Sequence, residues 1–415
     1  MLARICKTLA LTALIGSGCG HSNDQSSVDA AVQIDAAPLP DAPASQAGVV
    51  AIPLTGLGGA YTAKLALGGQ PFDVVVDTGS TSTGVAAATC TNCNVHPAYT
   101  PGMAMDLHQT ASSQYGSGSW KGEVFEDSAV MGTRGAITLD FASITSQTGF
   151  FQGSGYQGIL GLGPDGLLLP YTTSYLTKLI AAGMTGEVAF QLCPDNGTMW
   201  LGGFDAAAAT AAPAFTPISS AAPYYIVSVG AASVSQTSSL TGTDFGPTII
   251  DTGTTQTFVP TAVLTAVING VKGSSGYTAA FGTQTLADGA CLNTTMTSAQ
   301  LDAALPPLSL SFSGSTTPLA IPATQSYLFD QGGNSYCFMF SDSSQLFGSA
   351  QKVSLFGNTL LTGLLTVVDI DHKQMGFALQ KGCAAPHFAA KRPLVRRRPT
   401  IDPATLATIM QAAQP

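Results

Sequence analysis

One short pattern occurs twice in this chain and restricts the fold more than any other feature. In Phe72-Asp73-Val74-Val75-Val76-Asp77-Thr78-Gly79-Ser80-Thr81, a β-branched run heads into the protein, delivers a carboxylate and turns on a glycine. Thr248-Ile249-Ile250-Asp251-Thr252-Gly253-Thr254-Thr255 repeats that grammar, Asp251 falling 174 residues after Asp77. A single Asp-Thr-Gly means little, because all three residues are turn formers and the chain holds 46 Gly. Two copies differ: each follows a hydrophobic strand and each precedes two hydroxyl residues. Later in each half comes an apolar pair ending in glycine, Gly158-Ile159-Leu160-Gly161-Leu162-Gly163 and then Ser354-Leu355-Phe356-Gly357-Asn358. Duplicated halves imply two similar lobes with their aspartates facing each other across the joint.

At 415 residues the chain exceeds what one core usually takes, which also favours two lobes. Only 9% of residues are charged while 45% are hydrophobic. With many β-branched residues and frequent turn formers, that balance predicts an all-β secreted protein. From Gly48 to Cys383 there are 8 Lys or Arg against 19 Asp or Glu, a net −11. So acidic a body disfavours nucleic acid as a partner. It suits a protein that works in acid, where few cations remain to repel one another, although a merely soluble acidic protein has the same balance.

Residues 1–19 read as an export signal, with Arg4 and Lys7 ahead of the short apolar core Leu9 to Ile15. That core is too short for a permanent bilayer span. Ile15-Gly16-Ser17-Gly18-Cys19 resembles a bacterial lipoprotein signal with Cys19 as the lipidated residue; the alternative is plain secretion with cleavage near Gly18. The expected localisation is therefore the bacterial cell envelope, lipid-anchored to the membrane, or else secretion. Residues 20–47 have almost nothing to bury and read as a disordered tether. The folded part starts near Val49, divided into lobes at 48–212 and 213–383. Tyr61 to Leu67 alternates as a strand and turns through Gly68-Gly69 into the first Asp strand. Helices are predicted from Thr173 to Ala182 and from Pro260 to Ile268, the second stopping at Asn269-Gly270.

Two carboxylates within hydrogen-bond reach cannot both ionise cheaply, so the pair shares one proton over a range of acid pH. One then serves as base toward a water and the other as acid toward a carbonyl oxygen. That is hydrolysis without metal, cofactor or covalent intermediate. Which aspartate begins as the base is not legible. Ser80, and Thr254 or Thr255, supply hydroxyls for the outer oxygens, while Gly79 and Gly253 let backbone N–H groups approach. No Gly-x-Ser-x-Gly elbow or His-Glu-x-x-His occurs, which disfavours serine hydrolases and zinc proteases.

From Val49 to Cys383 the chain resembles the pepsin family of aspartic endopeptidases. The resemblance rests on the two Asp-Thr-Gly motifs, on Gln114-Tyr115-Gly116-Ser117-Gly118-Ser119, and on the apolar segments 158–161 and 355–357. Val368-Asp369 and Met375-Gly376-Phe377 add to it. It implies a bilobal acid-protease fold, a monomer acting on protein or peptide substrates, and catalysis by Asp77 and Asp251. It further implies cross-bracing by Thr78 and Thr252, and a flap closed by Tyr115 with Gly116 at its turn. Val75, Phe150 or Phe151, Tyr156, Ile159 and Ile249 become apolar pocket walls, favouring cleavage beside hydrophobic residues. Family positions pair Cys291 with Cys337 and Cys90 with Cys93, leaving Cys193 and Cys383 to clasp the first lobe to the last strand.

Three departures stand out. Gly84 replaces the family tryptophan that hydrogen-bonds the flap tyrosine, and Trp120, past the flap tip, reads as core or hairpin packing, with compensation for that tryptophan as the alternative. The spacer 20–47 lacks the basic charges of a pepsin-type propeptide. The extension 384–415 carries five cations between Lys391 and Arg398. It reads as a solvated tail drawn to anionic surfaces, or as a segment folding back over the acidic cleft. A non-catalytic binding or protease-inhibitor protein on the same scaffold is the rival reading, and Gly84 is its main support.

Overall fold

The valine run before Asp77 forms a strand, Gln70–Asp77, in which Val74, Val75 and Val76 are all fully buried. A strand covered on both faces reads as continuous rather than alternating apolar sequence, and each buried valine contributes about 1.5–3 kcal/mol. The preceding strand, Tyr61–Leu67, matches its predicted limits. Gly68 and Gly69 turn the chain at φ 55° and 77°, values that favour glycine at both positions. In the computed structural model residues 48–382 are described, except 117, 152–154, 220–222, 236–238 and 316. The signal 1–19 with Cys19, the tether 20–47, Cys383 and the extension 384–415 lie outside the described residues.

Each half builds the same arrangement around its Asp strand. Gln70–Asp77 runs parallel to Gly158–Gly161, placing Asp77 beside Gly161; Gly84–Ala86 pairs antiparallel with the other edge of Gly158–Gly161. In the second half Pro247–Ile250 runs parallel to Ser354–Phe356, and Thr257–Val259 pairs antiparallel with it. The outer strand of each set is extended by another parallel neighbour, Ile137–Thr148 and Phe340–Asp342 respectively. The apolar pairs that follow each Asp-Thr-Gly are thus the strands inserted between the two arms of each carboxylate loop.

The architecture is mostly β and pepsin-like, as expected. A thirteen-stranded sheet carries the first half and an eight-stranded sheet much of the second. The halves are joined by sheet rather than by side chains alone: Leu364–Asp369 of the second half pairs antiparallel with Glu187–Leu192 of the first, and Gln374–Leu379 and Ala214–Pro217 extend that sheet within the second half. Phe377 on this shared sheet stacks on Phe312 of the second half, centroids 3.9 Å apart.

The first predicted helix is Tyr175–Ala181, with Ser174 Oγ accepting from Thr177 N at 3.2 Å as its cap. The second runs Thr261–Lys272, past the expected stop at Asn269-Gly270. Val271 is fully buried in register with Val263, Leu264 and Val267, so burial of that face outweighs a glycine's helix cost of about 1 kcal/mol. Short helices at Ser275–Phe281 and Ser298–Ala304 were not anticipated. Cys90–Cys93 and Cys291–Cys337 are disulfides as expected, and Cys193 is disulfide-bonded too.

Candidate active site

Asp77 ends its strand and Asp251 directly follows Pro247–Ile250 where the two halves meet, with only 4% and 3% of their surfaces exposed. Their loops grip each other reciprocally. Thr78 N donates to Thr252 Oγ1 at 3.1 Å, and Thr252 N donates to Thr78 Oγ1 at 3.0 Å. Each hydroxyl then donates across the joint, Thr78 Oγ1 to Ile250 O at 2.9 Å and Thr252 Oγ1 to Val76 O at 3.0 Å. Four buried hydrogen bonds therefore fix the separation of the carboxyls, each worth about 0.5–1.5 kcal/mol net and more if one partner is left unpaired.

Each carboxyl is held alike. Gly79 N donates to Asp77 Oδ1 at 2.8 Å and Ser80 Oγ to Asp77 Oδ2 at 2.6 Å. Gly253 N donates to Asp251 Oδ1 at 2.7 Å and Thr254 Oγ1 to Asp251 Oδ2 at 2.5 Å. The glycines also face the opposite carboxyl: a Cβ on Gly253 would stand 2.1 Å from Asp77 Oδ1, and one on Gly79 2.6 Å from Asp251 Oδ1. No side chain fits there, so close approach explains both glycines. Of the two hydroxyls proposed beside Asp251, Thr254 takes the role. Thr255 Oγ1 instead donates to Gly59 O at 3.0 Å, tying the second loop to the first half.

The carboxyls face each other across the joint, each lying against the glycine of the opposite loop. Burial, and then the charge of Asp77, push the Asp251 carboxyl well above its ordinary value of 3.8, more than the Thr254 and Gly253 hydrogen bonds lower it. The pair thus keeps one shared proton to a higher pH than exposed carboxyls do.

Tyr115 ends the strand Met105–Tyr115, half-buried, with the exposed Gly116 at the turn. Burial and then the Asp77 charge raise its phenol to about 12, so the hydroxyl stays protonated. Its ring meets Phe150 at a centroid distance of 5.5 Å, and Phe150 meets Phe151 at 4.8 Å and Tyr156 at 6.0 Å. Val75 and Ile159, fully buried, belong to the same cluster and back this aromatic wall. Ile249 lies apart, in a second-half cluster with Tyr224, Phe258, Phe347 and Leu355.

Trp120 packs in the core of the flap hairpin. It is 2% exposed, and a Cβ on Gly84 would meet Ile144 Cδ1 at 3.2 Å and the Trp120 Cζ2 at 3.5 Å. Ile144 and the indole together line the space beside position 84. The indole N–H acts on the Tyr115 phenol together with the hydroxyls of Ser113 and Ser80, without closing a hydrogen bond of ordinary geometry.

Asn358 escaped the sequence reading. Its Nδ2 donates to Thr252 O at 2.8 Å and to Gly59 O at 2.9 Å, bracing the second loop from behind. Its position directly after Leu355-Phe356-Gly357 was the available signal. Among the described residues no group of three or more His, Cys, Asp or Glu is placed to hold a metal ion, and no helix is long and apolar enough to cross a membrane.

This constellation on two matched β lobes defines an aspartic peptidase, and comparison with known proteins agrees. Residues 60–380 match the family model described as eukaryotic aspartyl protease, and the chain belongs to that family. An aspartic protease of Phaffia rhodozyma is 30% identical over 331 residues, covering 77% of this chain and 76% of the relative. A vacuolar aspartic protease of Candida albicans is 27% identical, with 79% and 77% covered. Gastricsin of Rattus norvegicus is 22% identical over 79% of this chain and 82% of its own. The chain is an aspartic-type endopeptidase, a hydrolase of peptide bonds.

Proposed function

We propose that Asp77 and Asp251 are the catalytic pair, Asp251 carrying the shared proton at the start. The observation that carries this is two buried carboxyls held side by side by mirrored hydrogen bonds. A water between them gives a proton to Asp77 as its oxygen bonds the peptide carbonyl carbon; Asp251 gives its proton to the carbonyl oxygen. The tetrahedral diol then collapses: Asp77 protonates the departing nitrogen, the C–N bond breaks, and a diol hydroxyl returns its proton to Asp251. Both carboxyls end as they began. Thr78, Gly79, Ser80, Thr252, Gly253 and Thr254 hold this geometry without exchanging protons with substrate.

Tyr115 and Gly116 form the flap over the peptide. The aromatic wall of Phe150, Phe151 and Tyr156, backed by Val75 and Ile159, takes an apolar substrate side chain on the flap side, and Ile249 contributes from the other half. Activity belongs to acid pH, where one proton resides on the pair. A monomer suffices, because both aspartates come from one chain. Export fits the signal pattern of residues 1–19 and the vacuolar names of fungal relatives. Anchoring to a bacterial envelope through Cys19 rests on the sequence pattern alone; Cys19→Ser should move the protein from the membrane to the soluble fraction.

The test is cleavage of an unfolded protein between pH 2 and 7, blocked by a statine-type inhibitor and abolished by Asp77→Asn. Activity that survives Asp77→Asn would overturn the assignment of the pair. No cleavage across that range would favour the binding-protein reading.

A further inference from the structure

One side-chain amide holds the turn that presents the aromatic wall. Gln147 lies near the end of strand Ile137–Thr148, opposite Trp120 in the ladder. Its Oε1 accepts from Phe150 N at 2.9 Å and from Phe151 N at 3.4 Å. Its Nε2 donates to Asn92 O at 2.7 Å. The Asn92 side chain returns the contact to the Gln147 backbone, Nδ2 to O at 2.7 Å and Oδ1 accepting from N at 3.2 Å. Asn92 itself sits in the short loop closed by Cys90–Cys93.

We propose that Gln147, seated on Asn92, is a positioning residue that sets which apolar side chain the flap-side pocket accepts. The inference rests on the peptidase reading above and deepens it. Phe150 meets Tyr115 in a tilted ring contact, and the Tyr156 hydroxyl donates to Phe150 O, so both backbone polar groups of Phe150 are tied while its ring meets the flap. A change at Gln147 therefore acts through the placement of Phe150 and Phe151 and leaves the carboxyl loops alone. None of the hydrogen bonds that hold Asp77 and Asp251 involves Gln147 or Asn92.

Gln147→Met keeps the length of the side chain and removes both polar functions. With paired peptides that differ only in carrying Phe or Leu at the flap-side residue of the scissile bond, the Phe:Leu ratio of kcat/KM should change about tenfold, through KM with kcat held. Gln147→Glu is the conservative variant. Below the pKa of an ordinary carboxyl it regains an acceptor and a donor, so the ratio should return to the wild-type value in acid and drift as the pH passes about 5. Amide hydrogen exchange at Phe150 and Phe151 should quicken in Gln147→Met, and exchange at Gly79 and Gly253 should stay the same.

An unchanged ratio, an equal loss for both peptides, or no rescue by Gln147→Glu in acid would overturn the proposal. Wild-type protein that cuts neither peptide would sink the peptidase reading instead. Exchange at Phe150 and Phe151 would then judge the positioning role alone: unaltered exchange overturns it, and selective quickening supports it.

Discussion

Asp77 and Asp251 receive the same two donors, a glycine N–H and a hydroxyl, at distances that agree within 0.1 Å. Their surroundings diverge. Gly79 and Ser80 retain partial exposure, whereas Gly253, Thr254 and Thr255 are buried. The second loop is further tied by Thr255 and Asn358 to Gly59, while the first half has Leu162 at the position matching Asn358. The first loop instead lies under a flap hairpin. The comparison separates two properties. Local motif repeats set how each carboxyl is held, and distant contacts set how firmly each loop is enclosed.

The most severe way to break the symmetry is to remove one carboxylate. Asp77→Asn and Asp251→Asn should each lower kcat on an acid-pH peptide assay by on the order of 10³-fold or more, since the acid and the base act in the same step. Equal losses would show that the loops differ in burial but not in importance.

Gly253→Ala places a methyl group 2.1 Å from Asp77 Oδ1, so the grip must open. It should cost about 1–3 kcal/mol in denaturant unfolding and most of the activity. Gly79→Ala, with 2.6 Å to Asp251 Oδ1, should do somewhat less. The reverse order would mean that the first loop is the stiffer one.

Thr78→Val and Thr252→Val each delete two hydrogen bonds of the grip and should cost about 1–3 kcal/mol apiece. Because they share one network, the double variant should lose less than the sum in a thermal melt. Additive losses would contradict a reciprocal grip.

The smallest expected effect tests the proton held by the pair. Asp251 has its folded pKa raised above the unfolded 3.8. Above that pH the unfolded chain releases the proton while the folded protein keeps it, so stability is lost as pH rises toward the folded value. Asp251→Asn removes this penalty. It should melt about 1–2 °C higher than wild type near neutral pH, what about 1 kcal/mol produces at this size, and the gain should vanish below pH 3.8. A gain that is independent of pH would show that Asp251 does not hold the proton.

Much of the site was legible because it is built from contiguous residues. Asp-Thr-Gly followed by a hydroxyl encodes the carboxyl, the grip, the close approach and the outer hydrogen bond within four positions, and the chain states it twice. Where the reading fell short, the contact joins distant segments. Thr255 and Thr254 are alike in sequence, and only the 3.0 Å contact with Gly59 O tells them apart. The helix Thr261–Lys272 overran Asn269-Gly270 because Val271 is buried, which local propensity does not register.

The sequence by itself determined the number of lobes, the all-β class, the identity of the two carboxylates and the hydroxyls and glycines beside them. Those follow from strand periodicity and from short-range turn chemistry. Only the tertiary structure decided that the two carboxyl loops grip each other, that Thr255 and Asn358 tie the second loop to Gly59, and that Gln147 holds the Phe150 turn beside Tyr115. Proton affinity and pocket shape depend on solvent exclusion by groups far apart in the chain, and that quantity exists only once the halves are packed.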